Sequence, residues 1–399
     1  MTHDRVERNM IGAYGTWAAG SVLPDPPQLS LRTGRYRDID RWRTQARERV
    51  SELLCMPHSG GIPQATVDRE YAHDGLHVEE LSWQLPYGPP TQAILLKPEN
   101  TTGSLPGVIA LHDHGGHKFF GKRKITRTSD DQHPLMREHQ ANHYGDRGWA
   151  NEIAKRGYVV LVHDAFPFAS RRVRPADVDP VVRGATKNVS KDENDAEIVA
   201  YNTWAAQHEH VMAKSLFYAG TTWPGVFLAE DQRALDYLCS RDDVDADHVG
   251  CCGLSGGGMR TIFLGGMDDR IKAAVCVGLM STNRDYVLNK CWTHTWMMCV
   301  PGLARELDYP ELFALRAPLP TMVLNDDEDQ LFSLPEMHRA DRIVQEVFDI
   351  AGAGDRYQCS FYPGPHKFDR DMQEEAFEWI DRWLSASPSC KSGVCDDSR

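Results

Sequence analysis

Residues 248–265, with the sequence HVGCCGLSGGGMRTIFLG, form the stretch that decides the fold. An apolar, strand-like run (248–254) leads through glycines into a helix-like segment (257–264). The GLSGG pentapeptide at the junction is typical of a sharp strand-to-helix turn that holds a serine hydroxyl above a sheet. Bulky residues two positions before or after Ser255 would collide with the neighbouring strand and helix. Glycine at 253 and 257 avoids that collision.

Ser255 is therefore the candidate nucleophile, and the backbone N–H of Gly256 is the candidate donor to a developing oxyanion. A second donor is expected where the strand GVIALH (107–112) ends, in the sequence DHGG (113–116). We expect the N–H of His114 to face the same space as Gly256, with Gly115 as the next candidate.

An activated serine needs a base and an acid, which should follow it in the order acid, then histidine, each beyond the end of a strand. His366, in FYPGPHKF (361–368), lies between the last predicted strand and the last predicted helix. The acid is sought in VLNDDEDQLF (323–332), where we prefer Asp329 and keep Asp326 as the alternative. His366 would be the general base and then the general acid, while Asp329 would orient the imidazole and stabilise its charged form.

Strand-like and helix-like segments alternate from about residue 106 onward. This rhythm predicts an α/β fold with a mostly parallel central sheet and helices on both faces. The predicted strands are Leu76–Leu85, Thr91–Leu96, Gly107–His112, Gly157–His163, His248–Leu254, Lys272–Val277, Pro320–Leu324 and Arg356–Phe361. The predicted helices are Asp38–Leu54, Trp149–Arg156, Ala196–Ala213, Phe227–Cys239, Gly257–Leu264, Met337–Phe348 and Phe368–Leu384.

The chain is divided into three segments. Residues 1–75 are predicted to be a helical and irregular N-terminal extension, and residues 76–386 a single catalytic domain. Within it, 165–226 breaks the alternation and is interpreted as loops plus a helical insertion that is a candidate lid. Residues 387–399 are predicted to be a flexible tail.

Composition excludes several classes of protein. The chain has 399 residues, 41% hydrophobic and 25% charged, which is typical of globular proteins. With 44 basic and 57 acidic residues the formal charge is −13, and no basic run stands out, so no nucleic-acid or membrane partner is expected. The charged N-terminus, MTHDRVERNM, does not resemble a signal peptide, so a cytoplasmic location is expected.

No metal or other cofactor is expected. Six histidines between residues 112 and 143 fit no tight ligand spacing, and serine chemistry needs no metal; they are His112, His114, His117, His133, His139 and His143. The ten cysteines are scattered, which argues against a disulfide scaffold. Cys390 and Cys395 in the tail are an alternative zinc pair, but no second pair is near in sequence.

Taken together, the HDHGG turn, GYVVLVHDAFPFASRR, GLSGG and PGPHKF resemble the α/β-hydrolase superfamily, and within it the dienelactone-hydrolase and acetyl-xylan-esterase-like bacterial hydrolases. The resemblance covers about residues 76–386. It implies a Ser255–Asp329–His366 triad, oxyanion donors at Gly256 and His114, and a role for Arg171 or Arg172 in ordering the loops around the cleft. One departure is Asp113, at a position where related enzymes often have glycine. It would cap a turn, shift nearby pKa values or bind a substrate hydroxyl.

These observations predict a serine hydrolase that cleaves a small-molecule carboxylic ester, with an acetyl ester as one candidate. The same triad would also serve a lactonase, a peptidase or a carbon–carbon bond hydrolase. A non-catalytic binding protein that keeps the hydrolase shell is the alternative from another class. Trp204, Trp223, Trp292 and Trp296 are candidates either for lining a substrate pocket or for packing in the core. Assembly into a homo-oligomer is left open.

Overall fold

A computed structural model describes residues 9–20, 22 and 24–385. It contains nine strands in one sheet: β1 (Thr66–His73), β2 (Leu76–Trp83), β3 (Thr91–Pro98), β4 (Leu105–Leu111), β5 (Val159–His163), β6 (Val244–Leu254), β7 (Ile271–Val277), β8 (Thr321–Asp326) and β9 (Tyr357–Tyr362). Their order across the sheet is β1-β2-β3-β5-β4-β6-β7-β8-β9. β4 to β9 are mutually parallel, and β1, β2 and β3 form an antiparallel edge next to β5.

Helices cover both faces of this sheet. They are α1 (Gly15–Ala19), α2 (Ile39–Leu54), α3 (Pro134–His143), α4 (Trp149–Lys155), α5 (Pro180–Arg183), α6 (Asp195–Tyr218), α7 (Trp223–Cys239), α8 (Gly256–Met267), α9 (Asn283–Asp285), α10 (Leu303–Glu306), α11 (Tyr309–Ala314), α12 (Leu334–Ile350) and α13 (Arg370–Leu384). Short 3₁₀ turns lie at Gly12–Tyr14, Leu31–Thr33, Lys122–Lys124, Ala169–Arg171, Pro175–Asp177, Cys291–Thr293, Trp296–Met298 and Gly354–Arg356, and a π turn at Tyr286–Lys290.

Alternate residues of the central strands are buried on opposite faces. In β4, Ile109 and Leu111 belong to the core on the side of α2, α7, α8 and α12, while Val108 and Ala110 belong to the core on the side of α4 and α13. A parallel sheet buried on both sides explains why these strands read as continuous apolar runs in the sequence. The predicted α/β architecture, a mostly parallel sheet with helices on both faces, is confirmed.

One strand has no counterpart among the sequence predictions. β1, with the sequence TVDREYAH, lies inside the segment predicted to be helical or irregular, and its first five residues are exposed. Because this edge strand buries so little, it lacks the apolar alternation by which strands are recognised. The short α3 is also absent from the predictions.

The segment 165–226 contains short turns, α5 and the long helix α6. The helix predicted over Ala196–Ala213 extends from Asp195 to Tyr218. Ile198, Tyr201 and Trp204 of α6 pack with Phe119 and Phe120, which follow the turn after β4. The insertion therefore packs against the loop expected to carry the second oxyanion donor.

Within the described part of the chain, every helix is too short or too polar to cross a lipid bilayer. The tail cysteines Cys390 and Cys395 lie outside the described residues.

Candidate active site

Ser255 occupies a strained turn between β6 and α8. Its backbone has φ 57° and ψ −117°, a combination that L-residues rarely adopt. A Cβ on Gly257 would stand 2.1 Å from the carbonyl oxygen of Leu111, and one on Gly253 would stand 2.6 Å from the same atom. The two glycines are therefore required by the close approach of β4. The turn is held further by the N–H of Ser255, which donates to Val277 at 2.9 Å.

His366 is paired with Asp329. The distance from its Nδ1 to Asp329 Oδ2 is 2.6 Å, and Asp329 Oδ1 accepts the N–H of Leu331 at 2.8 Å. Burial disfavours the charged imidazole, but the hydrogen bond and the charge of Asp329 outweigh burial and raise the pKa of His366. The ring packs on Gly278, next to the residue whose carbonyl holds Ser255, since a Cβ on Gly278 would stand 2.9 Å from His366 Cε1.

The other ring nitrogen of His366, Nε2, is buried and makes no hydrogen bond to any described residue. His366 and Ser255 both line one cavity of about 290 Å³. An imidazole that is oriented through Nδ1, and whose second nitrogen is unengaged near a cavity that a serine also lines, is a candidate general base.

Asp326, the alternative acid, has a different environment. Its Oδ2 accepts the N–H of Lys367 at 3.0 Å, and burial raises its pKa to about 7. The hydrogen bond to the imidazole is made by Asp329, the preferred residue. Ligand atoms of Asp326, Asp329 and His366 lie within 4.8 Å of one another, the one group in the described residues that is compact enough to hold a metal ion. Backbone N–H groups already occupy one oxygen of each carboxylate.

The two candidate oxyanion donors lie side by side. A Cβ on Gly256 would stand 2.9 Å from the backbone nitrogen of His114, and both residues line the cavity with Ser255. Gly256 is also the first residue of α8, where the helix dipole favours negative charge. Gly115, the second choice, also lines the cavity. It has φ 46°, and a Cβ there would stand 2.3 Å from Asp113 Oδ2.

The side chain of His114 is held by the insertion helix α6. Its Nδ1 accepts the N–H of Gly116 at 3.1 Å, and its Nε2 lies 3.0 Å from Glu209 Oε1 and 3.1 Å from Lys118 Nζ. The same carboxylate oxygen bonds the ammonium of Lys118. The side chains of Lys118 and Glu209 are only 1% and 10% exposed, so this pair is effectively buried.

Asp113 makes structural contacts beneath the turn. Its Oδ1 accepts hydrogen bonds from Tyr144 Oη and His139 Nε2, and its Oδ2 lies 3.6 Å from Lys124 Nζ. Burial alone would raise the pKa of Asp113, but Lys124, His139 and Tyr144 hold it well below its ordinary value. Lys124 also donates to the carbonyls of Asp113 and His114, and burial lowers its pKa to about 8. A buried charge network thus fixes the loop that carries His114.

The remaining candidates are distributed around this centre. His143 lines the cavity, whereas His112 is buried, with its pKa lowered to about 3 by burial and nearby cations. His117 packs against His139, and His133 caps α3. Trp204 and Trp223 pack in the core, Trp292 is 75% exposed, and Trp296 lines a neighbouring cavity.

Arg171 and Arg172 have distinct surroundings. Arg171 is buried, bonds Glu230 at 2.5 Å, and donates to the carbonyl of Tyr87 at 3.1 Å. Arg172 lies over the ring of Phe119 and donates to Ala169. Of the two, Arg171 therefore makes the contacts that join separate loops.

Sequence reasoning misses the buried charges that support the site. Glu209, Lys118 and Lys124 belong to no recognisable sequence motif. Arg260 and Asp231 form a further buried ion pair, with 2.6 Å between Nη2 and Oδ1. The sequence carries only a faint signal of these pairs: Lys118 directly precedes the apolar FF (119–120), and Arg260 stands on an otherwise apolar helix. Charged residues are rarely buried unless paired, and the partners are distant in sequence.

Comparisons with known proteins agree with this architecture. A scan against family models finds no match. The chain is 26% identical over 346 residues to the Bacillus subtilis (strain 168) protein named "Putative hydrolase YtaP". The alignment covers 86% of this chain and all of the relative.

Many solved structures have a similar fold, and two of them illustrate the likeness. One, titled a "putative acetyl xylan esterase" from Bacteroides fragilis, has a TM-score of 0.63 at 15% identity and covers 96% of this chain and 93% of its own. A glucuronoyl esterase from Solibacter usitatus has a TM-score of 0.58 at 17% identity and covers 89% and 96%. With the sheet order and the nucleophile turn, these likenesses establish that the chain has the α/β-hydrolase fold.

Proposed function

We propose that this protein is a serine-dependent hydrolase that cleaves a carboxylic ester through an acyl-enzyme. The observation that carries the proposal is the pairing of His366 Nδ1 with Asp329, which leaves His366 Nε2 unengaged in the cavity lined by Ser255. The strained turn at Ser255 and the adjacent amides of Gly256 and His114 support the same chemistry.

In the proposed mechanism, Ser255 Oγ attacks the ester carbonyl while its proton moves to His366 Nε2. The charge that develops on the carbonyl oxygen is stabilised by the N–H groups of Gly256 and His114. The C–O bond to the alcohol then breaks, and the alcohol leaves with the proton from His366. Water repeats the sequence on the acyl-enzyme, releasing the acid and restoring Ser255, while Asp329 stabilises the imidazolium in both steps.

The names of the relatives agree with an ester as substrate. The curated relative is named a hydrolase, and the two structural neighbours are titled as esterases that act on different esters. An acetyl ester is one candidate, and p-nitrophenyl acetate is therefore the first substrate to test.

The test compares hydrolysis of p-nitrophenyl acetate by the wild type, Ser255→Ala and a control, Ser240→Ala. Ser240 is an exposed serine at the end of α7. We expect Ser255→Ala to lower kcat by at least about 10³-fold and the control to retain wild-type activity. A phosphonate should label Ser255, as read by peptide mass. Undiminished activity of Ser255→Ala would refute the proposal, and cleavage of lactones or peptides but not esters would favour the other triad reactions.

A further inference from the structure

A second cavity lies beside the candidate active site. It has a volume of about 480 Å³ and is bordered by the connection between β7 and β8, with Phe217 of α6 on one wall. Three residues, His294, Thr295 and Met298, line both this cavity and the one that contains Ser255. The two cavities therefore adjoin along these three residues.

The walls of the second cavity are mostly hydrocarbon and carry no charge. No lysine, arginine, aspartate or glutamate lines it in the described part of the chain. Its apolar wall residues include Val287, Trp296, Val300, Leu303 and Ala304. Burial lowers the pKa of His294 to about 4 and so keeps the ring neutral, although the hydrogen bond of Nε2 to the carbonyl of Leu331 at 3.0 Å acts in the opposite direction.

The first cavity is lined by polar side chains on one part of its wall and by apolar side chains on another. Its polar side chains include those of the proposed catalytic machinery, while Leu254, Met259, Leu279, Met297 and Leu331 form an apolar wall. No lysine or arginine lines it in the described residues, and its one carboxylate, Asp113, is paired beneath the turn. A free carboxylate or phosphate on the substrate would find no cation here, and burying an unpaired charge is costly.

We infer that the substrate is an uncharged ester bearing a hydrocarbon group that extends from Ser255 past Met298 into the second cavity. This inference rests on the proposed function and adds the substrate class. The occupant follows from the three lining residues that the cavities share, from walls that favour hydrocarbon, and from the volume of the second cavity, which is in the range of small-molecule pockets.

Two ester series test the inference and identify which side of the ester carries the group. One keeps p-nitrophenol and lengthens the acyl chain from acetate to octanoate. The other keeps acetate and lengthens the alcohol from methyl to octyl, followed by pH-stat. Each methylene buried in the transition state should raise kcat/KM by about fourfold in one series, until the second cavity is full.

Variants that fill the second cavity provide the structural control. Val287→Phe and Ala304→Phe should each lower the ratio of long-chain to short-chain kcat/KM at least tenfold. Val181→Phe, at a valine that is 91% exposed, should leave that ratio unchanged. An anionic ester, mono-p-nitrophenyl glutarate, should react at least about 100-fold more slowly than p-nitrophenyl pentanoate, because its carboxylate would be buried unpaired.

Flat chain-length profiles in both series would overturn the inference, as would an unchanged ratio in both filled variants. Equal rates for glutarate and pentanoate esters would overturn the inference that the substrate is uncharged. If Ser255→Ala abolishes hydrolysis of the short ester while the profiles are flat, the inference fails and the proposed function stands. If Ser255→Ala retains activity, the proposed function fails.

Discussion

Replacing Glu209 with alanine should destabilise the protein through Lys118. The two residues form a buried ion pair between the insertion helix and the loop that carries His114. Alanine at 209 would leave the ammonium of Lys118, whose side chain is 1% exposed, without its carboxylate. The free energy of unfolding should fall, and the loop should lose the contact that orients His114.

Two estimates bound the loss. Removing one partner of a buried ion pair costs about 3–5 kcal/mol. Alternatively, Lys118 can give up its proton, and moving a lysine with an ordinary pKa of 10.5 to its neutral form at pH 7 costs about 5 kcal/mol. Because deprotonation is always available, about 5 kcal/mol is the ceiling for the charge contribution, and we expect a loss of about 3–5 kcal/mol.

The assay is urea unfolding of wild type and Glu209→Ala at several pH values. Without Glu209 the folded-state pKa of Lys118 falls further below that of the unfolded chain, so the unfolded chain binds more protons between the two values. Stability of the variant therefore rises with pH in that window, and its deficit relative to wild type should shrink from pH 7 towards pH 10.

A double variant separates charge from packing. Adding Lys118→Met to a Glu209→Leu background removes both charges and should recover most of the lost stability. A deficit below about 1 kcal/mol that does not change with pH would refute the reasoning, because Lys118 would then be well solvated. The absence of recovery in the double variant would assign the loss to helix packing instead.

Two further predictions concern the proposed catalytic pair. Asp329→Asn should lower kcat by about 10³–10⁴-fold. Asp326→Asn, which removes no hydrogen bond to the imidazole, should change kcat less than tenfold. Equal losses in a p-nitrophenyl acetate assay would contradict the assignment. Because Asp329 raises the pKa of His366 above 6.5 despite burial, activity should fall as pH drops through a value above 6.5, where the imidazole gains a proton and no longer accepts one from Ser255. In Asp329→Asn this acidic limb of kcat/KM should move to lower pH, and an unmoved limb would show that another group controls it.

Much of this architecture can be predicted from the sequence because its central strands are short apolar runs. The runs ending at Leu111, Leu254 and Leu324 are buried on both sides of the sheet. Their apolar composition alone therefore identifies them as buried strands. The candidate residues then follow from chain order, since functional groups follow the carboxyl ends of parallel strands.

What the sequence does not predict depends on contacts between distant segments. Glu209 lies 91 residues from Lys118, and nothing near either residue indicates the other. The different surroundings of Asp329 and Asp326 depend on loop geometry, which places the Asp329 carboxylate on the imidazole and turns Asp326 towards the N–H of Lys367. The second cavity is assembled from the β7–β8 connection and α6, and its shape has no local sequence pattern.

The charged outer strand β1 bears on how copies of this chain would meet. The unpaired N–H and C=O groups of an edge strand can hydrogen-bond to a strand of another molecule. Proteins prevent this pairing with charged side chains and bulges at the edge. Asp68, Arg69 and Glu70 are exposed along this edge, and the register shifts between Val67 and Arg69. Continuous sheet extension from one molecule into the next is therefore disfavoured on this side. We expect replacement of these three charged residues by valine to create an apolar strand edge that promotes precipitation. The reaction centre should not be altered.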